Sequence, residues 1–220
     1  VEIQANYGPN LITAFGRIDG RAVGFLANNP MHLAGCIDAD AADKGARFIR
    51  TCDAYNIPLV FVVDTPGYLP GVEQEKAGLI HRGAKLAFAL VEATVPKVTL
   101  IVRKAYGGAY AVMGSKNLSG DINFAWPTAQ IAVMGSAAAV VMIQGKQLAA
   151  APPEQRDYLK KIFMDFYDEN MTSPYVAAER GYLDAMIQPR ETRLALRRAL
   201  RQLSTKDEQD LSKKHTIMPL

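Results

Sequence analysis

Gly107, Gly108 and Ala109, within Arg103-Lys-Ala-Tyr-Gly-Gly-Ala-Tyr-Ala-Val-Met-Gly114, are the residues best suited to chemistry in this chain. They close an apolar strand pattern and open a short helix. Small residues at such a corner let a ligand approach the main chain, and the first-turn N–H groups of a helix have no internal acceptor. Donors of that kind suit an oxygen that gains negative charge during a reaction. A second corner, Asp64-Thr-Pro-Gly-Tyr-Leu-Pro-Gly71, follows another apolar run. Two corners on successive strand–helix units predict one pocket built mostly of backbone. Glycines also permit tight packing without any ligand, and that reading competes at each corner taken alone.

Side-chain catalysis finds no frame. His32, His81 and His215 have no neighbouring nucleophile in a known arrangement, and neither G-x-S-x-G nor H-E-x-x-H occurs. His81 reads as a surface or helix-packing residue, and His215 as a solvated one. Ser115 is close to the corner but has no visible base. Asp64 either caps its turn or serves catalysis, capping being the stronger reading. Pro66 and Pro70 stiffen their loop. Tyr68 and Tyr106 either flank a flat ligand or belong to the core. Arg190, Arg193, Arg197 and Arg201 form a helical stripe that reads as a solvated face.

These corners need strands and helices to hold them. Residues 3–6, 11–18 and 21–28 read as strands, with Asp19-Gly20 as a tight hairpin turn. Residues 57–63 form a near-continuous apolar run, the mark of a parallel strand covered on both faces. Strands are also predicted at 97–102, 123–126, 130–133 and 183–187. Helices are predicted at 41–55, 73–93, 109–115, 135–147, 154–170 (with Tyr158, Leu159, Ile162, Phe163 and Phe166 towards a core), from 173 onward, and at 189–203. Gly78 and Gly83 fall inside the 73–93 helix at a cost of ~1 kcal/mol each, which close packing would offset. The charged stretch 206–214 reads as loose. Alternating strands and helices predict an α/β fold with a largely parallel core.

Composition bounds the class. With 220 residues, 49% of them apolar, the chain can bury a sizeable core. A net charge of +3 does not argue for nucleic acid. No apolar run approaches the ~20 residues of a membrane span, and no signal segment opens the chain. Cys36 and Cys52 match no metal spacing and read as inert thiols in a reducing compartment. A soluble cytoplasmic protein is expected.

The chain resembles the carboxyl-terminal half of the carboxyltransferase β subunit of biotin-dependent acyl-CoA carboxylases, the propionyl-CoA and acetyl-CoA carboxylase group. Both corners carry the resemblance, together with Ala46-Arg-Phe-Ile-Arg-Thr-Cys-Asp-Ala-Tyr-Asn-Ile-Pro58, Glu92-Ala-Thr-Val-Pro-Lys97, Ala125-Trp-Pro-Thr-Ala-Gln-Ile-Ala-Val-Met-Gly135 and Lys214-His-Thr-Ile-Met-Pro-Leu220. It implies a crotonase-like superhelix of β-β-α units, with residues 1–220 as the biotin-side domain and the amino-terminal, CoA-side domain absent. It implies carboxyl transfer from N1-carboxybiotin on a carrier protein to the α-carbon of an acyl-CoA, toward malonyl-CoA and fatty acid synthesis. The backbone N–H groups of Gly108 and Ala109 would stabilise the ureido oxygen. Tyr106, Gly107, Gly67, Tyr68, Leu69, Pro70 and Gly71 would surround biotin, Tyr110 and Ala111 would line the acyl pocket, and no metal would bind. Implied partners are the biotin carboxyl carrier or biotin carboxylase subunit, the amino-terminal carboxyltransferase domain and further copies of the chain, with neither nucleic acid nor membrane. A decarboxylase or transcarboxylase, or a non-catalytic carrier-binding half, are the alternatives. Two positions depart from the pattern: Ala111 replaces an aspartate of propionyl-CoA-type members, and Lys76 replaces a usual tyrosine.

Overall fold

The computed structural model describes residues 1–208 and Pro219. The expectations for residues 209–214 and His215 lie outside these described residues.

Strands β2 (Leu11–Ile18) and β3 (Arg21–Asn28) form an antiparallel hairpin. Asp19 and Gly20 turn it with φ of 55° and 80°, the two positive values that a type I′ turn requires. Strand β1 is only Glu2–Ile3, shorter than expected, because Gln4 leaves extended geometry with φ 55°. From β3 onward the sheet is parallel through β4 (Leu59–Thr65), β5 (Lys97–Tyr106), β6 (Ile122–Ala125) and β8 (Ala185–Met186). Strand β7 (Gln130–Ala132) pairs with the end of β5.

Both faces of the central strands are covered, which is why their sequences are almost wholly apolar. Helices α1 (Ala39–Ala54) and α3 (Leu79–Glu92) lie on one face, where Leu26, Ile49, Phe61, Leu86, Leu90 and Ile101 join the main core. Asp38 caps α1 by accepting from the Ala41 N–H at 2.8 Å. On the other face, Leu196, Ala199 and Leu200 of α8 (Thr192–Gln202) pack on Val23, Val60 and Val98.

Three predicted features are corrected. The 73–93 helix is two helices, α2 (Val72–Lys76) and α3, because Gly78 breaks it in the left-handed region at φ 76°. Gly78 therefore carries no helix-interior cost, while Gly83 remains inside α3. Helices α5 (Ser136–Ala150) and α6 (Pro153–Tyr167) pack mainly on each other rather than on the sheet. As a result Tyr158, Ile162 and Phe166 point outward instead of into a core, beside exposed Val141, Met142 and Ile143. Finally, Lys206 is held rather than loose: its ammonium lies 3.1 Å from Asp121 and 2.8 Å from Glu208. Two arginines of the predicted solvated stripe also find a partner, since Arg197 and Arg201 reach Asp19 at the hairpin turn at 3.3 and 2.7 Å.

Burial pushes the Cys52 thiol and the Tyr68 and Tyr110 phenols up to about 12, with Asp53 adding to the first and Tyr182 to the last. The folded chain thus holds these protons more tightly than the unfolded chain does. Their contribution to stability is complete below the ordinary thiol value of 9.0 and is lost as pH rises towards 12. Burial pushes the Lys44 and Lys97 ammonium groups the other way, which opposes this loss below their ordinary value of 10.5, so thermal unfolding midpoints are expected to fall from about pH 10.5 towards 12. A midpoint flat across that window would refute the assignment.

Candidate functional site

Strands β4 and β5 run side by side and end together, with Thr65 opposite Ala105 after a register shift at Asp64. The Asp64 carboxylate sets this shift. It accepts from Arg103 Nε at 3.0 Å on each oxygen, lies 2.9 Å from Arg103 Nη2, and accepts from the Lys104 N–H at 3.2 Å. The Asp64 N–H donates to Asn28 Oδ1 at 3.1 Å. Asp64 is therefore a clamp between strand ends, and neither the predicted turn cap nor a free catalytic carboxylate. Breadth of contact makes this pair firm, although Arg103 is more than half exposed.

Beyond the clamp, residues 66–71 are strapped to the segment before α1. The Ile37 N–H donates to Gly67 O at 3.1 Å, and the Leu69 N–H donates to Ile37 O at 2.9 Å. Gly67 and Gly71 adopt φ of 146° and 133°, values that only glycine takes readily. The strap delivers the Tyr68 ring to the end of β5.

There the chain turns into helix α4 (Gly107–Ala111). Gly107 has φ 59°, and a Cβ on it would sit 3.0 Å from Val133 O. Tyr106 occupies the cap position without any side-chain capping bond. The Gly108 and Ala109 N–H groups lie in the first turn, where no intrahelical carbonyl can reach them. They differ in access. Gly108 is exposed, whereas Ala109 is 0% exposed. Of the two residues only Gly108 reaches the surface, and Ala109 could offer its N–H only after covering atoms move. A Cβ on Gly108 would meet only the Tyr68 ring, at 3.5 Å, so the two corners do come together and Tyr68 is their point of contact.

The other predicted site residues divide. Leu69 is half-buried, and Pro70 and Gly71 are exposed at the rim. The Tyr106 side chain is buried and its hydroxyl donates to Gln130 Oε1 at 2.6 Å. Tyr110 lies in the main core, its buried hydroxyl without a hydrogen-bond partner among the described residues. Ala111 is half-buried. Ser115 is buried and donates to Ala111 O at 3.1 Å, leaving no nucleophile at the corner. Sequence reasoning missed the Asp64–Arg103 clamp. The Arg103-Lys104 pair ending an apolar strand, level with Asp64 on the neighbouring strand, was the available signal for the clamp.

Among the described residues no group of three or more His, Cys, Asp or Glu could hold a metal ion, and no helix is long and apolar enough to cross a membrane. A cavity of about 500 Å³ lies at the opposite end of the sheet, between Pro58, Pro96 and Leu200, away from both corners.

A glycine corner of this kind on a mixed α/β sheet places the chain in the broad class of α/β proteins whose candidate site is main chain rather than side chain. Comparison narrows the class: the carboxyl transferase domain family matches residues 1–218. The chain is 56% identical over its whole length to the biotin-dependent acetyl-/propionyl-coenzyme A carboxylase beta5 subunit of Mycobacterium tuberculosis H37Rv, covering 40% of that protein. It is 50% identical to the methylmalonyl-CoA decarboxylase subunit alpha of Propionigenium modestum, covering 42% of it. The structure of transcarboxylase 12S, solved as a hexamer with methylmalonyl-coenzyme A bound, superposes with a TM-score of 0.95 at 45% identity, over 100% of this chain and 42% of that one. The chain belongs to the carboxyl transferase domain family and has its crotonase-like α/β fold. It spans about 40% of the length of the relatives it matches.

Proposed function

We propose that this chain is the biotin-side part of an acyl-CoA carboxyltransferase, moving a carboxyl group from carboxybiotin to the α-carbon of an acyl-CoA. The observation that carries this is the exposed Gly108 residue at the first turn of α4, beside the Tyr68 ring, where a helix's N–H groups have no internal acceptor. The residues present fit biotin: a corner without side chains admits a flat ring, and the main chain there offers a donor to a ureido oxygen. When bound, carboxybiotin supplies an activated carboxyl group and a ring nitrogen able to accept the substrate's α-proton. The chain's own part is to hold and polarise. Gly108 donates to the oxygen that gains charge, with Ala109 as the second donor once uncovered. Gly107 takes the positive φ of 59° that begins this turn, where a Cβ would crowd Val133 O at 3.0 Å. The Asp64–Arg103 clamp fixes the strand ends beneath the turn.

The outward apolar face of α5 and α6, with Val141, Met142, Ile143, Tyr158 and Phe166, is large for a surface left to water. We assign it to the amino-terminal domain that would complete the relatives' length, and through it to an oligomer. An acetyl- or propionyl-CoA class substrate, a biotin carrier partner, and a cytoplasmic role in making malonyl-CoA for fatty acid synthesis follow from the same reading.

Reconstitution tests it. The chain, combined with an amino-terminal half and a carboxylated biotin carrier, should transfer labelled carboxyl to acyl-CoA, and each part alone should not. Assembly of all parts without transfer would refute the reading. A decarboxylase reading is favoured by the 50% identity to the methylmalonyl-CoA enzyme; faster carboxyl release from methylmalonyl-CoA than capture by propionyl-CoA would select it. For chain length, Ala111→Asp should change the acetyl-to-propionyl rate ratio severalfold, because a carboxylate in place of a methyl changes what the pocket can bury. An unchanged ratio would remove Ala111 from the acyl pocket.

A further inference from the structure

The contacts of the Tyr68 ring point to a residue outside both corners. A Cβ built on Gly83, in the middle of α3, would lie 3.1 Å from Tyr68 Cε1, 3.1 Å from its hydroxyl oxygen and 3.2 Å from Cζ. A Cβ built on Gly108 would meet the other edge of the same ring, 3.5 Å from Cε2 and 3.7 Å from Cδ2. The ring is thus wedged between the bare backbones of α3 and α4. It has little freedom to retreat, because its own main chain is strapped by the hydrogen bonds between Ile37 and residues 67 and 69, and the ring packs on the main core. Gly83 itself is buried and lies in regular helix, where alanine would ordinarily be preferred. Its glycine therefore calls for a local reason, and the three atoms nearest its missing Cβ all belong to Tyr68.

We infer that Gly83 is a positioning residue for the Gly108 corner, acting through Tyr68: the absence of a side chain on α3 seats the ring at the distance from Gly108 that leaves the amide open. This rests on the carboxyltransferase reading and deepens it by extending the site to a helix that contributes no ligand contact. A methyl group on Gly83 must move the ring by a few tenths of an ångström, and the edge opposite Gly83 is the one that faces Gly108. Misplacement on this scale at a reacting centre costs rate far more than it costs stability.

A double-mutant cycle on Gly83→Ala and Tyr68→Leu, in the chain assembled with its amino-terminal half, tests this. Gly83→Ala alone should lower kcat for carboxyl transfer about tenfold and leave KM for acyl-CoA within about twofold. In the Tyr68→Leu background, which lacks Cε1, Cζ and the hydroxyl in their present positions, the same change should have no further effect on kcat. Equal effects of Gly83→Ala in both backgrounds would overturn the inference, as would a KM effect with kcat unchanged. Crystal structures of wild type and Gly83→Ala give a readout independent of turnover. The ring should shift towards Gly108, and an unmoved ring would overturn the inference even if activity fell. Absence of transfer in the wild-type assembly would count against the carboxyltransferase reading alone, since the crystallographic shift still decides the role of Gly83.

Discussion

Gly108→Val is expected to fold and to lose carboxyl transfer by at least about a hundredfold, the scale of losing one oxyanion-hole donor. Folding should survive because the new Cβ meets only the Tyr68 ring at an ordinary 3.5 Å, and the position is exposed. Activity should not survive, because two γ-methyl groups would crowd the exposed surface from which a ligand would approach the Gly108 amide. Gly108→Pro is the sharper companion. Proline is tolerated in the first turn of a helix and removes the N–H itself, so a folded Gly108→Pro protein should be at least as impaired. Steady-state transfer rates beside circular dichroism and thermal melts check both. Near-normal rates in a folded Gly108→Val protein would remove Gly108 from the site.

Gly114→Ala should be a strongly damaging conservative change to the fold near the site. Gly114 has φ 77°, and a Cβ on it would fall 2.5 Å from Thr99 Oγ1 and 2.6 Å from the Phe61 ring. Both neighbours are fully buried, so neither can swing aside. Thr99 also donates to Gly114 O at 2.6 Å, pinning the turn that follows α4 onto β5. The left-handed backbone costs about 1–2 kcal/mol with a Cβ, and overpacking a core adds roughly 1–3 kcal/mol. A loss of ~2–5 kcal/mol is expected in urea unfolding, with loss of transfer following from the displaced corner. A change below about 1 kcal/mol would show that the turn can relax more readily than its contacts allow.

Much of this was legible in the sequence, for identifiable reasons. Apolar runs at 59–63 and 97–102 announce strands covered on both faces, because a parallel sheet buries every side chain of its inner strands. Asp19-Gly20 announces its hairpin because few residues tolerate two successive positive φ values. The two glycine corners were legible for the same reason: Gly67, Gly71 and Gly107 all take conformations other residues avoid. What was hidden depends on contacts between distant segments. Periodicity continues unbroken through Gly78, so the split between α2 and α3 shows only once the strap at Tyr68 fixes where α3 must begin. The apolar stripe of α6 is real, but period cannot tell a buried face from one awaiting a partner. Asp64 resembles a turn cap locally, and only the pairing of β4 with β5 brings it to Arg103. The burial of Ala109 beside exposed Gly108 likewise follows from packing that no local pattern encodes.

The most direct measurement is a crystal structure of the chain, assembled with its amino-terminal half, in complex with a biotinylated carrier or biocytin. The ureido oxygen should lie about 2.7–3.1 Å from the Gly108 nitrogen, with the Ala109 nitrogen uncovered to reach the same oxygen and the bicyclic ring lying beside Tyr68. Biotin bound elsewhere, or seated at the corner with its ureido oxygen turned away from the Gly108 amide, would contradict the account.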